Sequence, residues 1–176
     1  MKTHNHSLLF STNDGRFGLQ VNHSTVKNVL DLCRRSNHEE TGGILLGAYN
    51  ADLSVAIVTQ ATEPPNDSKA GNSWFQRGVS GLKSLLERLW KTKREYYLGE
   101  WHFHPFSDPE PSMTDVNELR RIAKTRTYSC PEPVMLIIGG NPRENWSARA
   151  FVFPNGEKLE MQQKLPCEQI AETQNN

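Results

Sequence analysis

The most informative segment of this chain is the run Tyr96-Tyr97-Leu98-Gly99-Glu100-Trp101-His102-Phe103-His104-Pro105. Its aromatic and apolar composition predicts a β-strand. Side chains alternate between the two faces of a strand, so His102 and His104 share one face. Trp101 and Phe103 then point to the opposite face. Two imidazoles on one face at a strand end form half of a zinc site.

A carboxylate that completes this site follows shortly after the strand. Asp115 can supply a third ligand, and three protein ligands with an open fourth position are typical of a catalytic zinc site. A simpler interpretation stays open, because Ser112-Met113-Thr114-Asp115 also resembles a capping-box start of a helix. A second His-x-His pair, His4 and His6, lies in a polar N-terminal segment that we interpret as a disordered tail.

The spacing of these residues resembles the signature of a known family. His102-x-His104, followed by Ser112 and Asp115, is similar to the zinc motif of the JAMM, or MPN-plus, metalloproteases. That family also has a glutamate upstream, before a short apolar segment with glycines, and Glu40 matches it. The resemblance covers roughly residues 9–153, although only the two motif segments are specific.

The segment Gly99-Glu100-Trp101 before the histidines, and the short length of the chain, are similar to members of the bacterial Prok-JAB branch of this family. Phe103 departs from the Ser or Thr that often separates the histidines in eukaryotic members. This departure leaves the ligands intact and affects the substrate cleft.

The resemblance implies one Zn²⁺ per chain, bound by His102, His104 and Asp115. It also implies that Glu40 is the general base, because the family's base directly precedes the Thr-Gly-Gly segment. Glu39 is the competing residue, and a solvated pair at a helix end is the alternative for both. Ser112 is implied to donate a hydrogen bond to the developing oxyanion, and its alternative role is a helix N-cap.

Two glycines directly after this glutamate region have two possible roles. Gly42 and Gly43 either let the backbone approach the metal closely or serve the packing of the sheet. The sequence does not separate these interpretations.

The order of the predicted elements indicates an α/β domain with one mixed sheet. Besides the strand with the histidines, strands are predicted at 8–10, 17–21, 42–49, 53–61, 133–139, 146–153 and 158–162. Helices are predicted at about 24–35, 80–93 and 112–125. The resemblance implies the MPN/JAB fold, a curved sheet with about three flanking helices that is cytidine-deaminase-like. We predict a single metallopeptidase domain over residues 1–162 and a polar tail over residues 163–176.

Two further segments carry specific expectations. Residues 62–72 predict a long loop, and residues 62–75 are our candidate for holding a substrate tail. Instead of contacting a substrate tail, Trp74 and Phe75 could be buried aromatic residues of the core. The apolar positions of the helix predicted at 80–93 form a stripe that indicates core packing. These positions are Leu82, Leu85, Leu86, Leu89 and Trp90.

Composition excludes several classes of function. The chain has 176 residues and a formal net charge of zero, which argues against a general nucleic-acid or membrane-surface binder. No apolar run approaches the length of a membrane span. The three Cys are few and widely spaced, which predicts reduced thiols and a cytoplasmic protein.

Other zinc and thiol enzymes do not fit the motifs. Cytidine deaminases use His-x-Glu with a later Pro-Cys-x-x-Cys, and neither pattern occurs here. His-Glu-x-x-His is absent, which excludes the zinc proteases that use this helical motif. No Cys has a His partner in its sequence context, which argues against a thiol protease.

The resemblance carries expectations about substrate and partners. Active members of the family cut isopeptide or peptide bonds after the C-terminal glycines of ubiquitin or ubiquitin-like proteins. Short bacterial members occur beside ubiquitin-activating-like and conjugating-like enzymes in antiphage operons, including the CBASS type. The resemblance thus implies a zinc-dependent isopeptidase acting on the tail of a ubiquitin-like or conjugated protein, with those enzymes as partners. A sulfur-carrier-processing protease and a catalytically inactive MPN scaffold are the alternatives.

Overall fold

The computed structural model of the chain describes residues 7–36 and 38–164. The strands are β1 (Leu8–Ser11), β2 (Gly18–Val21), β3 (Thr41–Tyr49), β4 (Val55–Ala61), β5 (Lys69–Gly71), β6 (Trp74–Gln76), β7 (Tyr96–Pro105), β8 (Val134–Gly140), β9 (Trp146–Val152) and β10 (Leu159–Lys164). The helices are α1 (His23–Arg35), α2 (Leu82–Lys93) and α3 (Met113–Lys124). Short 3-10 turns follow at Arg126–Tyr128 and Pro154–Gly156. The predicted N-terminal tail with His4 and His6, and residues 165–176, lie outside the described residues.

Eight of the strands form one closed, mixed sheet. Its order is β1-β10-β9-β8-β7-β3-β4-β2, and β2 pairs with β1 to close it. The β2–β4 and β7–β8 pairs are parallel, and the other pairs are antiparallel. The prediction of a single α/β domain with a mixed, curved sheet and three helices is therefore confirmed. Closure depends on the pairing of β1 with β10, which brings Leu9 opposite Lys164 and which no local pattern could indicate.

The central strand β7 separates two packed faces, as its alternation predicts. Trp101 and Phe103 are buried in the core cluster that α1 also joins. The opposite face of the sheet packs against the two other helices, with Leu89 of α2 and Leu119 of α3 buried there. His102 faces this second side, since it lies opposite Ile137 of β8, which packs in the α3 cluster.

The predicted core stripe of α2 is only partly correct. Leu89 is buried, whereas Leu82, Leu85 and Leu86 are only partly buried and Trp90 is 49% exposed. Trp90 instead lies near the surface, against the Arg94 guanidinium and the Tyr96 ring. The stripe predicted the helix and its packing face, but sequence periodicity does not specify how deeply a helix is covered.

The loop predicted at 62–72 contains structure of its own. Strands β5 and β6 form a separate two-stranded hairpin in which Ala70 lies opposite Phe75. The Asp67 carboxylate, just before β5, holds the segment after β6 in place. It accepts hydrogen bonds from the backbone N–H groups of Val79 (3.0 Å) and Ser80 (2.9 Å). Three-residue strands with polar neighbours give too weak an alternation to be predicted. Trp74 is 51% exposed, so its alternative role in the core is wrong.

Candidate metal centre

The end of β7 and the start of α3 bring the three predicted metal ligands together. One ligand atom each from His102, His104 and Asp115 lies within 4.8 Å of the others. His102 Nδ1 is 3.0 Å from Asp115 Oδ1, and His104 Nε2 is 4.0 Å from Asp115 Oδ2. All three side chains are buried. The strand fixes the direction of both imidazoles, and the helix start fixes the carboxylate.

Ser112 holds Asp115 in this position. The Ser112 hydroxyl accepts a hydrogen bond from the Asp115 backbone N–H at 3.2 Å and donates one to Asp115 Oδ2 at 2.7 Å. The Ser112 backbone N–H also donates to Asp115 Oδ2, at 2.8 Å. The helix-start interpretation is therefore confirmed as a capping box. Capping and proximity to the histidines occur together, so the two interpretations of Asp115 do not exclude each other.

The residues of this cluster fit a metal ion. His102 Nδ1 is buried and, among the residues described, has no hydrogen-bond partner of acceptable geometry. Buried polar atoms without partners are rare, and a cation at this position would satisfy the nitrogen lone pair. Two imidazoles and a carboxylate are also a donor set that divalent metal ions such as Zn²⁺ accept.

The charges of the cluster interact strongly. Burial would lower the pKa of His102, but contacts with Asp115 and Glu100 outweigh it and raise the pKa to about 9. Burial would raise the pKa of Asp115, but the close approach of the His102 ring and the hydrogen bonds from Ser112 lower it to about 2. Burial keeps the pKa of His104 below its usual value. The site thus concentrates negative charge that attracts a proton or a cation.

Glu40 shares a cavity with these three residues. The cavity has a volume of about 830 Å³ and is lined by Glu40, the two histidines, Ser112 and Asp115, whereas Glu39 is exposed and does not line it. Burial, and then the charge of Asp115, raise the pKa of the Glu40 carboxyl. Its backbone N–H donates to the Gly71 carbonyl of the hairpin at 3.0 Å. This arrangement favours Glu40 over Glu39 as the acid–base residue.

The two glycines that follow have different roles. A Cβ on Gly42 would lie 2.4 Å from the Trp101 carbonyl oxygen, 2.9 Å from the Phe75 ring and 3.0 Å from the His102 ring. A Cβ on Gly43 would instead lie 2.3 Å from the Thr62 carbonyl oxygen and 2.9 Å from the Trp101 indole nitrogen. Gly42 therefore makes space beside the site, and Gly43 serves the packing of the sheet.

The β5–β6 hairpin forms one wall of the cavity. Trp74 and Phe75 line it on this side, and α3 contributes Asn117 and Glu118 to another wall. The Phe75 and His102 rings meet in a T-shaped arrangement, with centroids 5.6 Å apart and planes at 82°. The hairpin therefore contacts the cluster of His102, His104 and Asp115 directly and lines the cavity beside it.

Two charged residues of the site were missed by sequence analysis. Glu100 is 1% exposed, and its Oε2 lies 3.6 Å from His102 Nε2. Its Oε1 accepts from Arg77 Nε at 2.8 Å. Burial would raise the pKa of Glu100, but His102 and Arg77 outweigh burial and lower it. Strand alternation places Glu100 on the face of His102 and could have identified it, whereas Arg77 gives no local signal.

Two further findings concern the helices and the thiols of the described residues. None of the helices in the described ranges is long and apolar enough to cross a membrane. Cys33 and Cys130 are buried free thiols, and burial raises the pKa of each well above its usual value. Buried thiols of raised pKa are poor nucleophiles.

Known proteins similar to this chain include a family whose matched region spans both motif segments. A family described as prokaryotic homologs of the JAB domain matches residues 23–152. The chain is 45% identical over 148 residues to a CD-NTase/cGAS isopeptidase of Enterobacter hormaechei, covering 84% of this chain and 82% of that protein. It is 31% identical over 132 residues to a probable metalloprotease of Sinorhizobium fredii, covering 73% of this chain and 79% of the other.

A solved structure supports the architecture. The chain is similar to the solution structure of a Desulfitobacterium hafniense protein, with a TM-score of 0.57 and 16% sequence identity. The match covers 82% of this chain and 88% of that one. At this level of identity, the similarity concerns the fold alone.

Proposed function

Since this chain belongs to the prokaryotic JAB family, we propose that it is a zinc-dependent isopeptidase. The observation that carries the proposal is the cluster of His102, His104 and Asp115 in one cavity with Glu40. A similar protein named an isopeptidase and another named a probable metalloprotease support the same class of reaction.

In this proposal, each residue of the cavity has a defined role. His102, His104 and Asp115 hold one zinc ion, whose Lewis acidity when bound makes water more acidic and polarises a carbonyl group. Glu40 is the general base that takes a proton from the attacking water and passes it to the leaving amine. Its raised pKa, caused by burial and by the charge of Asp115, suits a group that must both accept and release a proton.

Ser112 stabilises the developing oxyanion by donating a hydrogen bond, as oxyanion-hole groups do. This role requires its hydroxyl proton to turn away from Asp115, to which it is donated in the structure. The backbone N–H of Ser112 also donates to Asp115 Oδ2 and keeps the carboxylate in place when the hydroxyl turns.

The hairpin is the proposed binding site for the substrate tail. β5 and β6 pair only with each other among the strands of the structure, and the proposed tail adds to an edge of this hairpin as an extended strand. Trp74 is exposed at the cavity wall and offers an apolar surface to such a tail. The hydrogen bond from Glu40 to Gly71 keeps this hairpin beside the proposed base.

The proposed substrate is a conjugate in which a bacterial protein is linked through its C-terminal residue. Because the relative at 45% identity is named a CD-NTase/cGAS isopeptidase, a CD-NTase conjugate in an antiphage CBASS-type operon is the preferred substrate. The enzymes that attach it, which are ubiquitin-activating-like and conjugating-like, are the proposed partners. A cytoplasmic location is part of this proposal.

The experiment is a cleavage assay on a CD-NTase carrying a C-terminal fusion protein, with zinc-loaded wild type, Glu40→Gln and Glu39→Gln. Wild type and Glu39→Gln should release the fusion protein. Glu40→Gln should keep zinc and fold but lose cleavage at least a hundredfold, in the range of general-base contributions. Glu39→Gln is the matched control because it removes the neighbouring carboxylate outside the cavity. Cleavage by Glu40→Gln at the wild-type rate would contradict the assignment of the base.

A further inference from the structure

The buried carboxylate of Glu100 lies between a metal ligand and an arginine. We propose that Glu100 is a positioning residue that holds His102 in the tautomer whose Nδ1 lone pair faces the metal. This inference rests on the proposed metal site. It adds Glu100, and Arg77 as its ion-pair partner, to the residues that determine the geometry of that site.

The two nitrogens of His102 face two different carboxylates. Nδ1 is 3.0 Å from Asp115 Oδ1, on the side of the ligand cluster, and Nε2 is 3.6 Å from Glu100 Oε2. A neutral imidazole has one N–H and one lone pair, so binding through Nδ1 requires the proton on Nε2. Glu100 is the acceptor placed for that proton. Histidine ligands of metals generally donate their second N–H to such an acceptor.

The other contacts of Glu100 leave Oε2 available for this role. Arg77 approaches Oε1 with Nε at 2.8 Å and with its terminal nitrogen Nη2 at 2.7 Å. The Tyr97 hydroxyl also donates to Oε1, at 3.4 Å. All three donors therefore engage one oxygen, and the second oxygen is directed at His102.

Arg77 compensates for the free-energy cost of burying the Glu100 carboxylate in this position. Both side chains of the pair are almost inaccessible, at 5% for Arg77 and 1% for Glu100. A lone buried carboxylate would be strongly destabilising, and a hydrogen-bonded guanidinium offsets that cost. Arg77 directly follows β6, so the same ion pair also attaches the hairpin to the strand that carries the histidines.

A purely structural ion pair would give a different response to mutation. Removing it would lower stability but would leave the proton of His102 on the same nitrogen. The positioning role instead predicts a change in zinc affinity and in the state of the His102 ring. These two readouts do not depend on catalytic activity.

The test compares zinc affinity and imidazole ¹⁵N spectra of wild type, Glu100→Gln and the matched control Glu95→Gln. Glu95 is a half-buried glutamate just before β7 that accepts from Thr59 and Gln60, away from the metal cluster. Competition with a chromophoric chelator should show zinc binding about 10–100-fold weaker in Glu100→Gln and unchanged in Glu95→Gln. The zinc-loaded wild type should show a protonated Nε2 on His102, and this resonance should be lost or shifted only in the Glu100 variant.

A double variant covers the case in which Glu100→Gln does not fold. Glu100→Gln with Arg77→Met removes both buried charges, which spares the fold an unpaired guanidinium. It should fold and still bind zinc 10–100-fold more weakly than wild type. If either Glu100 variant has wild-type zinc affinity and an unchanged His102 Nε2 resonance, the positioning role of Glu100 is wrong, while the proposed function still stands. A wild type that binds no zinc would overturn the proposed function as well.

Discussion

The Ser112 hydroxyl and the Asp115 carboxylate are joined by reciprocal hydrogen bonds at the start of α3. The hydroxyl donates to Asp115 Oδ2 at 2.7 Å and accepts from the Asp115 backbone N–H at 3.2 Å. One side chain therefore both caps the helix and orients the Asp115 carboxylate of the proposed metal site. This relationship makes the stability of α3 and the geometry of the His102, His104 and Asp115 cluster depend on the same residue.

Ser112→Ala should affect stability and turnover to different degrees. Loss of the cap should lower the free energy of unfolding of the metal-free protein by about 1 kcal/mol. Turnover of the zinc-loaded enzyme should fall more than zinc affinity does, because the Ser112 backbone N–H still holds Asp115. Urea unfolding, chelator competition and the cleavage assay measure the three quantities. Ser129→Ala, an exposed serine after α3, is the control, and equal losses of zinc affinity and turnover in Ser112→Ala would contradict an oxyanion role.

The stability of the metal-free protein should fall at alkaline pH. The pKa of His102 rises from 6.5 to about 9 on folding because Asp115 and Glu100 outweigh burial. The stability from this proton is complete below pH 6.5 and is lost as the pH rises through about 9. The loss should be on the order of 3 kcal/mol, measured by urea unfolding in the presence of a chelator. Zinc-loaded protein is the comparison, since metal binding displaces the proton and should abolish the decrease.

At acidic pH, the free energy of unfolding of the metal-free protein should change with pH in the opposite direction and rise as the pH rises. The pKa of Asp115 falls from 3.8 to about 2 on folding. Its contribution is therefore complete above pH 3.8 and is lost as the pH falls through about 2. Together, the two groups place the maximum stability of the metal-free protein between about pH 4 and 6.5. Stability that rises steadily from pH 6.5 to 9 without metal would contradict the coupling of His102 to Asp115.

Gly42→Ala and Gly43→Ala should distinguish an effect on zinc binding from an effect on the packing of the sheet. Both substitutions should lower the free energy of unfolding by about 1–3 kcal/mol, since each new methyl group meets backbone of another segment. Only Gly42→Ala should also weaken zinc binding, because its methyl group meets the His102 ring. Chelator competition on both folded variants measures this difference. Equal zinc affinity in Gly42→Ala and Gly43→Ala would contradict the different roles assigned to the two glycines.

Trp74→Ala should weaken substrate binding without changing the metal site. Trp74 is 51% exposed at the cavity wall, so its loss should raise KM for the tailed substrate about tenfold and leave kcat within a factor of two. Trp90→Ala is a matched control because Trp90 is 49% exposed but does not line the cavity. An equal effect of the two substitutions on KM would argue against the hairpin as the binding site of the tail.

Local patterns were sufficient to predict the parts of the site that lie close in sequence. Alternation along β7 predicted that His102 and His104 share a face, and the structure confirms it with Trp101 and Phe103 buried on the other. The spacing of Ser112 and Asp115 predicted the capped start of α3. These features depend on the backbone geometry of a single strand or helix turn, which the neighbouring residues determine.

Features that depend on distant segments were not predictable in the same way. The pairing of β1 with β10 closes the sheet, and it joins segments about 150 residues apart. The ion pair between Arg77 and Glu100 is formed only when the hairpin folds over β7. Glu100 itself had a usable signal, since it stands two residues before His102, but its charge partner did not.

Elemental analysis shows whether His102, His104 and Asp115 hold a zinc ion. Wild type and His104→Ala are purified side by side and their zinc content is measured. We expect about one zinc per chain in the wild type and a clear loss in the variant, since two remaining ligands bind weakly. Carefully prepared wild type without zinc, or a variant with the same zinc content, would show that these three residues do not form a zinc site.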